Sequence, residues 1–145
     1  MTNCGIKKKI ARDIEKIYCN NIKIARAKRQ IHMYRKRIQF YLRVIELFQV
    51  RIDEGQDRIH EDREDIREDD NFGAPLDYDE AYHREDIFRT GNNIGYNRRQ
   101  IRKYRQYIVE LECAIHNKQK EIHCLEDENR CLERQINQLE DISSC

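Results

Sequence analysis

Isoleucine recurs at every seventh position through most of this chain. Such a repeat is typical of supercoiled helices, because a helix wound to about 3.5 residues per turn keeps the same seam facing its partner. We therefore predict an all-α fold, a long heptad-repeat coiled coil. The repeat comprises Ile10, Ile17, Ile24, Ile31, Ile38, Ile45, Ile52, Ile59, Ile66, Ile87, Ile94, Ile101, Ile108, Ile115, Ile122 and Ile136, and Asn129 takes the one position of the second series that is not isoleucine.

The composition also favours an elongated helical protein. Of the 145 residues 38% are charged, and the chain has one proline and no tryptophan. The mean hydropathy is -0.99, so few apolar residues outside the repeat are available to build a thick core. A compact enzyme of this length normally shows mixed periodicities and more glycine. We therefore expect a protein that is not an enzyme.

The chain shows no signal for a membrane, a metal or a cofactor. No window approaches the roughly 18 apolar residues of a membrane span, and the first residues lack the apolar core of a signal peptide. The six cysteines form no C-x-x-C pair, which argues against a zinc ribbon or a thioredoxin-type motif. We expect an intracellular protein, in cytoplasm or nucleus, with free thiols. Its five histidines and acidic runs such as 61–65 are expected to face solvent.

Two helical arms are predicted on either side of a loop. Asn71, Gly73 and Pro75 belong to the densest group of helix breakers in the sequence. Asp77 and Glu80 have the spacing of a capping box and would start a second helix. The predicted segments are a lead at 1–5, a first arm at 6–69, a loop at 70–79, a second arm at 80–142 with a weak point at 90–95, and a tail at 143–145.

The charge distribution favours an antiparallel hairpin. Residues 1–51 hold 14 Lys/Arg and 3 Asp/Glu, a net charge of +11, whereas residues 52–90 hold 5 and 15, a net charge of −10. Folding back at the loop sets acidic residues 53–70 against basic residues 98–105. A parallel homodimer would instead stack each charged block on its own copy, which costs stability.

One offset between antiparallel arms determines every pair along the seam. The offset that we predict pairs Ile24 with Leu132 and leaves no like-charged pair beside the seam. It also places Gly55 opposite Ile101. The predicted seam comprises Ile24, Ile31, Ile38, Ile45, Phe48, Ile108, Leu111, Ile115, Ile122, Leu125 and Leu132.

Asn129 favours a different arrangement. In dimeric leucine zippers a single asparagine on the seam is satisfied by its own copy across a parallel pair. In the predicted hairpin register Asn129 instead faces Ala27, and Asn20 faces Ile136. Parallel assembly of two chains is therefore an alternative.

The segment 38–50 is apolar well beyond the seam. A seam between two helices cannot bury all of these side chains, and the facing stretch of the second arm widens as well. A wide apolar patch rimmed by charge usually marks an interface, and a second hairpin packed there would form a four-helix core. The predicted interface residues are Phe40, Leu47, Val50, Tyr107 and Val109.

These features favour a structural or scaffolding protein that associates with itself or with other helical proteins. The alternative is nucleic-acid binding by the basic first arm, through neutralisation of phosphates. The net charge of the whole chain is only +1, which provides little long-range attraction for a polyanion. The candidate nucleic-acid contacts are Lys7, Lys8, Lys9, Arg26, Arg29, Arg35, Lys36 and Arg37.

Overall fold

Two long helices make up the part of the chain that the structure describes. The computed structural model describes residues 2–71 and 78–144. Helix α1 spans Asn3–Asn71 and helix α2 spans Tyr78–Ser144. Neither helix contains proline, so no residue removes a backbone donor from its interior. The described residues contain no strand, and the predicted all-α fold is confirmed. Most of the predicted loop at 70–79 lies outside the described residues.

Helix α1 begins within the predicted lead at 1–5, because Thr2 caps it. The Gly5 N–H donates to Thr2 Oγ1 at 3.1 Å, and the Ile6 N–H donates to the Thr2 carbonyl oxygen at 2.9 Å. A threonine in this position satisfies donors that the first turn of a helix leaves unpaired. The helix therefore starts at Asn3.

Helix α2 continues through 90–95, where the sequence predicts a weak point. Thr90 and Ile94 point inward on this stretch and are both buried. Packing of an inward face supplies most of the stability of a helix in a protein and outweighs the low helix propensity of glycine. The same helix reaches Ser144, so most of the predicted tail is helical.

The two helices pack against each other as an antiparallel hairpin. Near the start of α1, Asn20 Nδ2 donates to Oδ1 of Asn129, late in α2, at 2.9 Å. Near the end of α1, Arg58 Nε donates to Oδ2 of Asp86, early in α2, at 2.7 Å. Because later residues of α1 meet earlier residues of α2, the predicted hairpin is confirmed.

The register of this hairpin is shifted by one heptad from the predicted register, which is therefore wrong. Asn129 contacts Asn20 and not Ala27, and its Nδ2 also donates to Asn21 Oδ1 at 3.0 Å. Leaving a buried amide without partners costs about 1–3 kcal/mol. The exposed charge pairs on which the prediction relied contribute only about 0.2–0.5 kcal/mol each. The register that pairs the two buried amides therefore prevails.

The described residues form two compact units, and the first combines Met1–Arg37 with Glu110–Cys145. This unit also buries polar groups. Asp13 is buried and its carboxylate pairs with Lys9 Nζ at 3.3 Å. The buried apolar residues of the first unit are Ile6, Ile24, Ala27, Ile31, Ile115, Leu132 and Ile136.

The second unit is Ile38–Val109. Its core is a cluster of three buried isoleucines, one from α1 and two from α2. Three partly buried side chains of α1 pack against this cluster and extend it along the helix. The buried members are Ile52, Ile94 and Ile101, and the partly buried members are Ile45, Phe48 and Ile59.

Gly55 allows the helices of the second unit to approach closely. A Cβ added at Gly55 would lie 3.0 Å from Ile94 Cγ1 and 3.2 Å from Thr90 Cγ2. The sequence predicted Ile101 opposite Gly55, so the same shift of one heptad applies in this unit. A residue without a side chain opposite a β-branched isoleucine fills the layer without a clash.

We expect Gly55→Ala and Gly91→Ala to differ in stability. A Cβ added at Gly91 meets nothing within 4 Å, so Gly91→Ala should stabilise the chain by about 1 kcal/mol through helix propensity alone. Gly55→Ala gains the same propensity but must displace Ile94, which costs about 1–3 kcal/mol. Urea unfolding of both variants measures the difference. Equal stabilisation by the two changes would contradict the close approach at Gly55.

The asparagine pair gives a second prediction about stability. Asn129→Ile removes the buried amide that Asn20 contacts, and we expect a loss of about 1–3 kcal/mol in the free energy of unfolding. Replacing both partners, by Asn20→Leu with Asn129→Ile, should recover most of that loss because no buried amide is left unpaired. The exposed residue Asn117 provides the control, since Asn117→Leu removes an amide that solvent already satisfies. Losses that simply add in the double variant would argue against the observed pairing.

Candidate functional site

Five aromatic rings from both helices form a continuous cluster in the second unit. The ring centroids of Tyr41 and Tyr104 are 5.4 Å apart, and those of Tyr41 and Tyr107 are 5.7 Å apart. Phe48 stacks on Tyr104 at 6.0 Å, and Phe40 lies 5.9 Å from Tyr41. Aromatic pairs at these separations stabilise by about 0.5–1.5 kcal/mol beyond the area that they bury. The contacts of Tyr41 and Phe48 on α1 with the tyrosines of α2 hold the two helices together.

Three large apolar side chains of α1 are exposed to solvent, and one of them, Phe40, is also the exposed edge of this cluster. Phe40 is 60% exposed, Leu47 is 61% exposed and Val50 is 50% exposed. The first two are one heptad apart and Val50 follows three residues later, so all three share one face of the helix. We call these three residues the apolar stripe. The seam residues Ile38, Ile45 and Phe48 of the same unit are only half-buried.

The other two predicted interface residues do not share one face. Tyr107 is half-buried in the aromatic cluster, whereas Val109 is 50% exposed. Two residues along a helix are separated by about 200° of rotation. Val109 therefore lies on a different face of α2 from Tyr107 and cannot complete the surface that Tyr107 borders.

Charged residues on the same face of α1 change sign across the apolar stripe. Steps of three and four residues lead back from Phe40 to basic side chains and forward from Val50 to acidic ones, while Arg43 lies within the stripe itself, and all of these side chains are exposed. Basic charge thus precedes the stripe along α1 and acidic charge follows it. The basic residues are Arg26, Arg29 and Lys36, and the acidic residues are Glu54, Asp57, Glu61 and Glu64.

The predicted seam residues lie on the inner sides of both helices with differing burial. All of the buried ones lie outside 38–50, whereas half-buried ones occur both inside and outside that segment. Ile24, Ile31, Ile108, Ile115 and Leu132 are buried, and Ile38, Ile45, Phe48, Leu111, Ile122 and Leu125 are half-buried.

The predicted nucleic-acid contacts are exposed side chains of α1. One of them, Lys9, forms an ion pair with Asp13 of its own helix. All of them lie in the first unit, and all eight are exposed: Lys7, Lys8, Lys9, Arg26, Arg29, Arg35, Lys36 and Arg37.

A group of charged side chains joins α1 to α2 elsewhere in the second unit. The Nδ1 atom of His83 lies 2.8 Å from Asp62 Oδ1, and its Nε2 atom lies 3.7 Å from Asp65 Oδ2. Asp86 on α2 pairs with Arg58 on α1 at 2.7 Å. The Asp62 side chain is only 9% exposed. Its Oδ2 atom is buried and receives no hydrogen bond from a donor among the described residues.

Burial and close charges shift the pKa values of this group. Burial raises the pKa of Asp62, and the neighbouring Asp86 carboxyl raises it further, while His83 opposes both effects. The interaction with Asp62 lowers the pKa of Asp86, and Arg58 lowers it as well. The hydrogen bond to Asp62 raises the pKa of His83. Asp62 and Asp86 are thus neighbouring carboxyls, of which Asp62 is the one that retains a proton more readily.

The sequence pattern did not predict this group, because all five histidines were expected to face solvent. His83 is mostly buried and contacts two carboxylates, so that interpretation is wrong for His83. The signal was present in the repeat. Asn97 and Thr90 are both buried and lie seven residues apart. Another step of seven residues towards the start of the chain reaches His83, so the repeat places His83 on the seam as well.

Comparison with known proteins does not assign the chain to a family. No protein-family model, no curated protein and no solved structure matches it. Within the described residues, no helix has an apolar stretch long enough to cross a membrane. The cysteines at positions 4, 19, 113, 124 and 131 are free and exposed.

Proposed function

We propose that this protein is a structural coiled-coil hairpin, and not an enzyme, whose function is to assemble with a second copy of itself through the apolar stripe. The observation that carries the proposal is the order of side chains along the outer face of α1. Exposed basic residues, the stripe and exposed acidic residues follow one another on that face. When a second α1 runs in the opposite direction, its acidic residues lie beside the basic residues of the first, and the two stripes meet. An antiparallel copy of α1 therefore fits this face.

The energetics favour covering the stripe. Fully burying an aliphatic or aromatic side chain stabilises by about 1.5–3 kcal/mol. Phe40, Leu47 and Val50 lie together on one face and are each at least half exposed. A four-helix arrangement around this region supplies the thicker core that two helices lack.

The charge order selects a second copy over an unrelated helix. In an antiparallel pair of α1 helices related by a two-fold axis near the stripe, basic residues 26–36 of one chain lie beside acidic residues 54–64 of the other. A parallel pair would place like charges together. Isologous pairing of this kind is the commonest symmetry of soluble oligomers.

We expect Phe40→Glu with Leu47→Glu to convert a dimer into a monomer without loss of helix. Both side chains are exposed within the hairpin, so charges there remain hydrated in the monomer and become buried only in the dimer. Light scattering measures the mass, and circular dichroism measures the helix content. The matched control is Phe88→Glu with Val109→Glu, which adds the same charge at two exposed apolar residues of α2.

The control also defines the contrary outcome. Dissociation by the Phe88 and Val109 variant, with no effect of the Phe40 and Leu47 variant, would move the interface to α2. Ile52→Glu serves as the reference for damage to the hairpin itself, because Ile52 belongs to the buried core of the second unit. That variant should lose helix content together with assembly.

Charge reversal tests the antiparallel orientation. Arg26→Glu with Arg29→Glu sets acidic residues against Glu61 and Glu64 of the other chain, and the dimer should weaken on the order of tenfold, equivalent to about 1.4 kcal/mol. Adding Glu61→Arg and Glu64→Arg to the same chain restores complementarity and should restore most of the affinity. Further weakening by the fourfold variant would contradict an antiparallel pair.

Nucleic-acid binding by the first arm is the competing proposal, supported by the exposure of all eight basic residues predicted as contacts. Phosphate contacts would give retention on heparin and duplex binding that falls steeply with salt. Under that alternative, Arg35→Glu with Arg37→Glu would abolish retention and leave self-association unchanged. If the unmodified chain binds neither DNA nor RNA at low salt, and Arg35→Glu with Arg37→Glu weakens self-association, the basic residues would instead belong to the protein interface.

A further inference from the structure

A groove lined by arginines runs between α1 and α2 on one side of the second unit. Three arginines of α2 border one half of it, and one of the same three borders the other half together with an arginine of α1. The two halves also share Gln56, so they form one continuous groove. Their volumes are about 330 Å³ and 480 Å³, which lie within the size range of small-molecule sites. The arginines of the groove are Arg63, Arg98, Arg102 and Arg105.

These arginines have no counter-charge within the groove. Folding back was expected to set acidic residues 53–70 against basic residues 98–105. The arginines of this unit that form ion pairs are Arg58, Arg84 and Arg89, whereas those of the groove form none with the described residues. No carboxylate of the described part of the chain borders either half of the groove. The groove therefore concentrates positive charge that the hairpin itself does not neutralise.

The positions of α1 beside the groove explain why the charge stays unpaired. Gln49, Gln56 and Arg63 recur at intervals of seven residues, so they lie on the same side of the helix. Two of these positions carry an amide where neutralisation would need a carboxylate. Asp53 accepts a hydrogen bond from Gln49 Nε2 at 3.1 Å and does not border the groove. An anion that enters the groove thus meets guanidinium and amide groups, which offer N–H donors.

The floor of the groove strengthens its attraction for anions. Buried Ile52 and Ile101 line one half, and buried Ile94 lines the other. Charges of one sign above walls of low dielectric constant focus the electric field and raise the local concentration of ions of the opposite sign.

The spacing of the arginines fits several phosphate groups in series. Arg98 and Arg105 are separated by about 10 Å along the helix axis, at 1.5 Å per residue, and Arg102 lies between them. The guanidinium group binds phosphate oxygens through two parallel N–H donors. A phosphate group carries a charge of about −1.5 to −2 near pH 7, so about two or three of them balance the arginines of the groove.

We propose that this groove is a binding site for a small molecule that carries two or three phosphate groups in series, such as a triphosphate. The arginines of α2 bind the phosphates from one side, and Arg63 and the glutamines of α1 bind them from the other. The ligand joins the two helices within the second unit and removes the mutual repulsion of the guanidinium groups. The site is separate from the apolar stripe, which contains none of these residues.

Inorganic tripolyphosphate is the probe, and isothermal titration calorimetry of the full chain measures its binding. At about 0.15 M salt the attraction between distant exposed charges is largely screened, and we expect saturable binding of one molecule per chain. Arg98→Gln with Arg105→Gln should weaken this binding at least tenfold. Both side chains are exposed, and glutamine has nearly the helix propensity of arginine, so the variant keeps its helices.

Arg99 and Lys103 provide the matched control on the same stretch of α2. Both are exposed and neither borders the groove, so Arg99→Gln with Lys103→Gln removes the same charge outside the site. This variant should bind tripolyphosphate as the unmodified chain does. Equal weakening in the two variants would show only diffuse attraction of anions to basic residues and would overturn the proposal.

A duplex of DNA without terminal phosphates distinguishes a small phosphate ligand from a nucleic-acid backbone. We expect the duplex to compete poorly with tripolyphosphate for the groove. Binding of the duplex that is lost in Arg98→Gln with Arg105→Gln, without binding of tripolyphosphate, would assign the groove to nucleic acid and overturn the proposal.

Unfolding gives a second readout that does not depend on heats of binding. A ligand that binds only the folded hairpin raises its urea midpoint as the ligand concentration rises. The increase with tripolyphosphate should appear in the unmodified chain and in the control, and should be absent from Arg98→Gln with Arg105→Gln. A midpoint of the unmodified chain that does not respond to tripolyphosphate would contradict a site between the two helices.

Discussion

The hydrogen bond between the amides of Asn20 and Asn129 is the constraint from which the register of the hairpin follows. A displacement of the helices by one heptad still places an isoleucine at each step of the repeat on the seam, because the same residue recurs every seven positions. A repeat this uniform therefore specifies a seam without specifying an offset. Two buried amides that must find each other do specify one, since a displaced register leaves both without partners at about 1–3 kcal/mol each. This is the role that single polar residues have in coiled coils.

The same logic explains how much of the fold could be predicted from the sequence. The period of seven predicted two helices, and the opposite charges of 1–51 and 52–90 predicted that the chain folds back. The offset was wrong because exposed charge pairs were given more weight than the buried amides of Asn20 and Asn129. The start of α1 could not be predicted from periodicity, because it depends on the Thr2 side chain. His83 was assigned to solvent because the repeat was not extended back to it through Thr90.

Polar residues occupy much of the interior, and they limit the stability of an isolated hairpin. The buried polar side chains among the described residues are Asp13, Asn20, Asp62, Glu80, Thr90, Asn97 and Asn129. No described side chain is less than 2% exposed, because two helices cannot enclose a residue on all sides. Each such layer gives up part of the roughly 1.5–3 kcal/mol that a fully buried aliphatic side chain contributes. Specificity of pairing is thus obtained at the expense of stability, which further contacts would have to supply.

Within the second unit the proposed assembly through the apolar stripe would supply such contacts. The apolar stripe faces outward from α1, so a second copy would cover it. The Asp62, Asp65 and His83 group lies between α1 and α2, where His83 Nδ1 is 2.8 Å from the buried Asp62 carboxylate. Covering the stripe adds apolar burial, which is insensitive to the charge state of the seam. Assembly and the polar contacts between the helices should therefore contribute independently to stability, because the stripe and the Asp62, Asp65 and His83 group have no member in common.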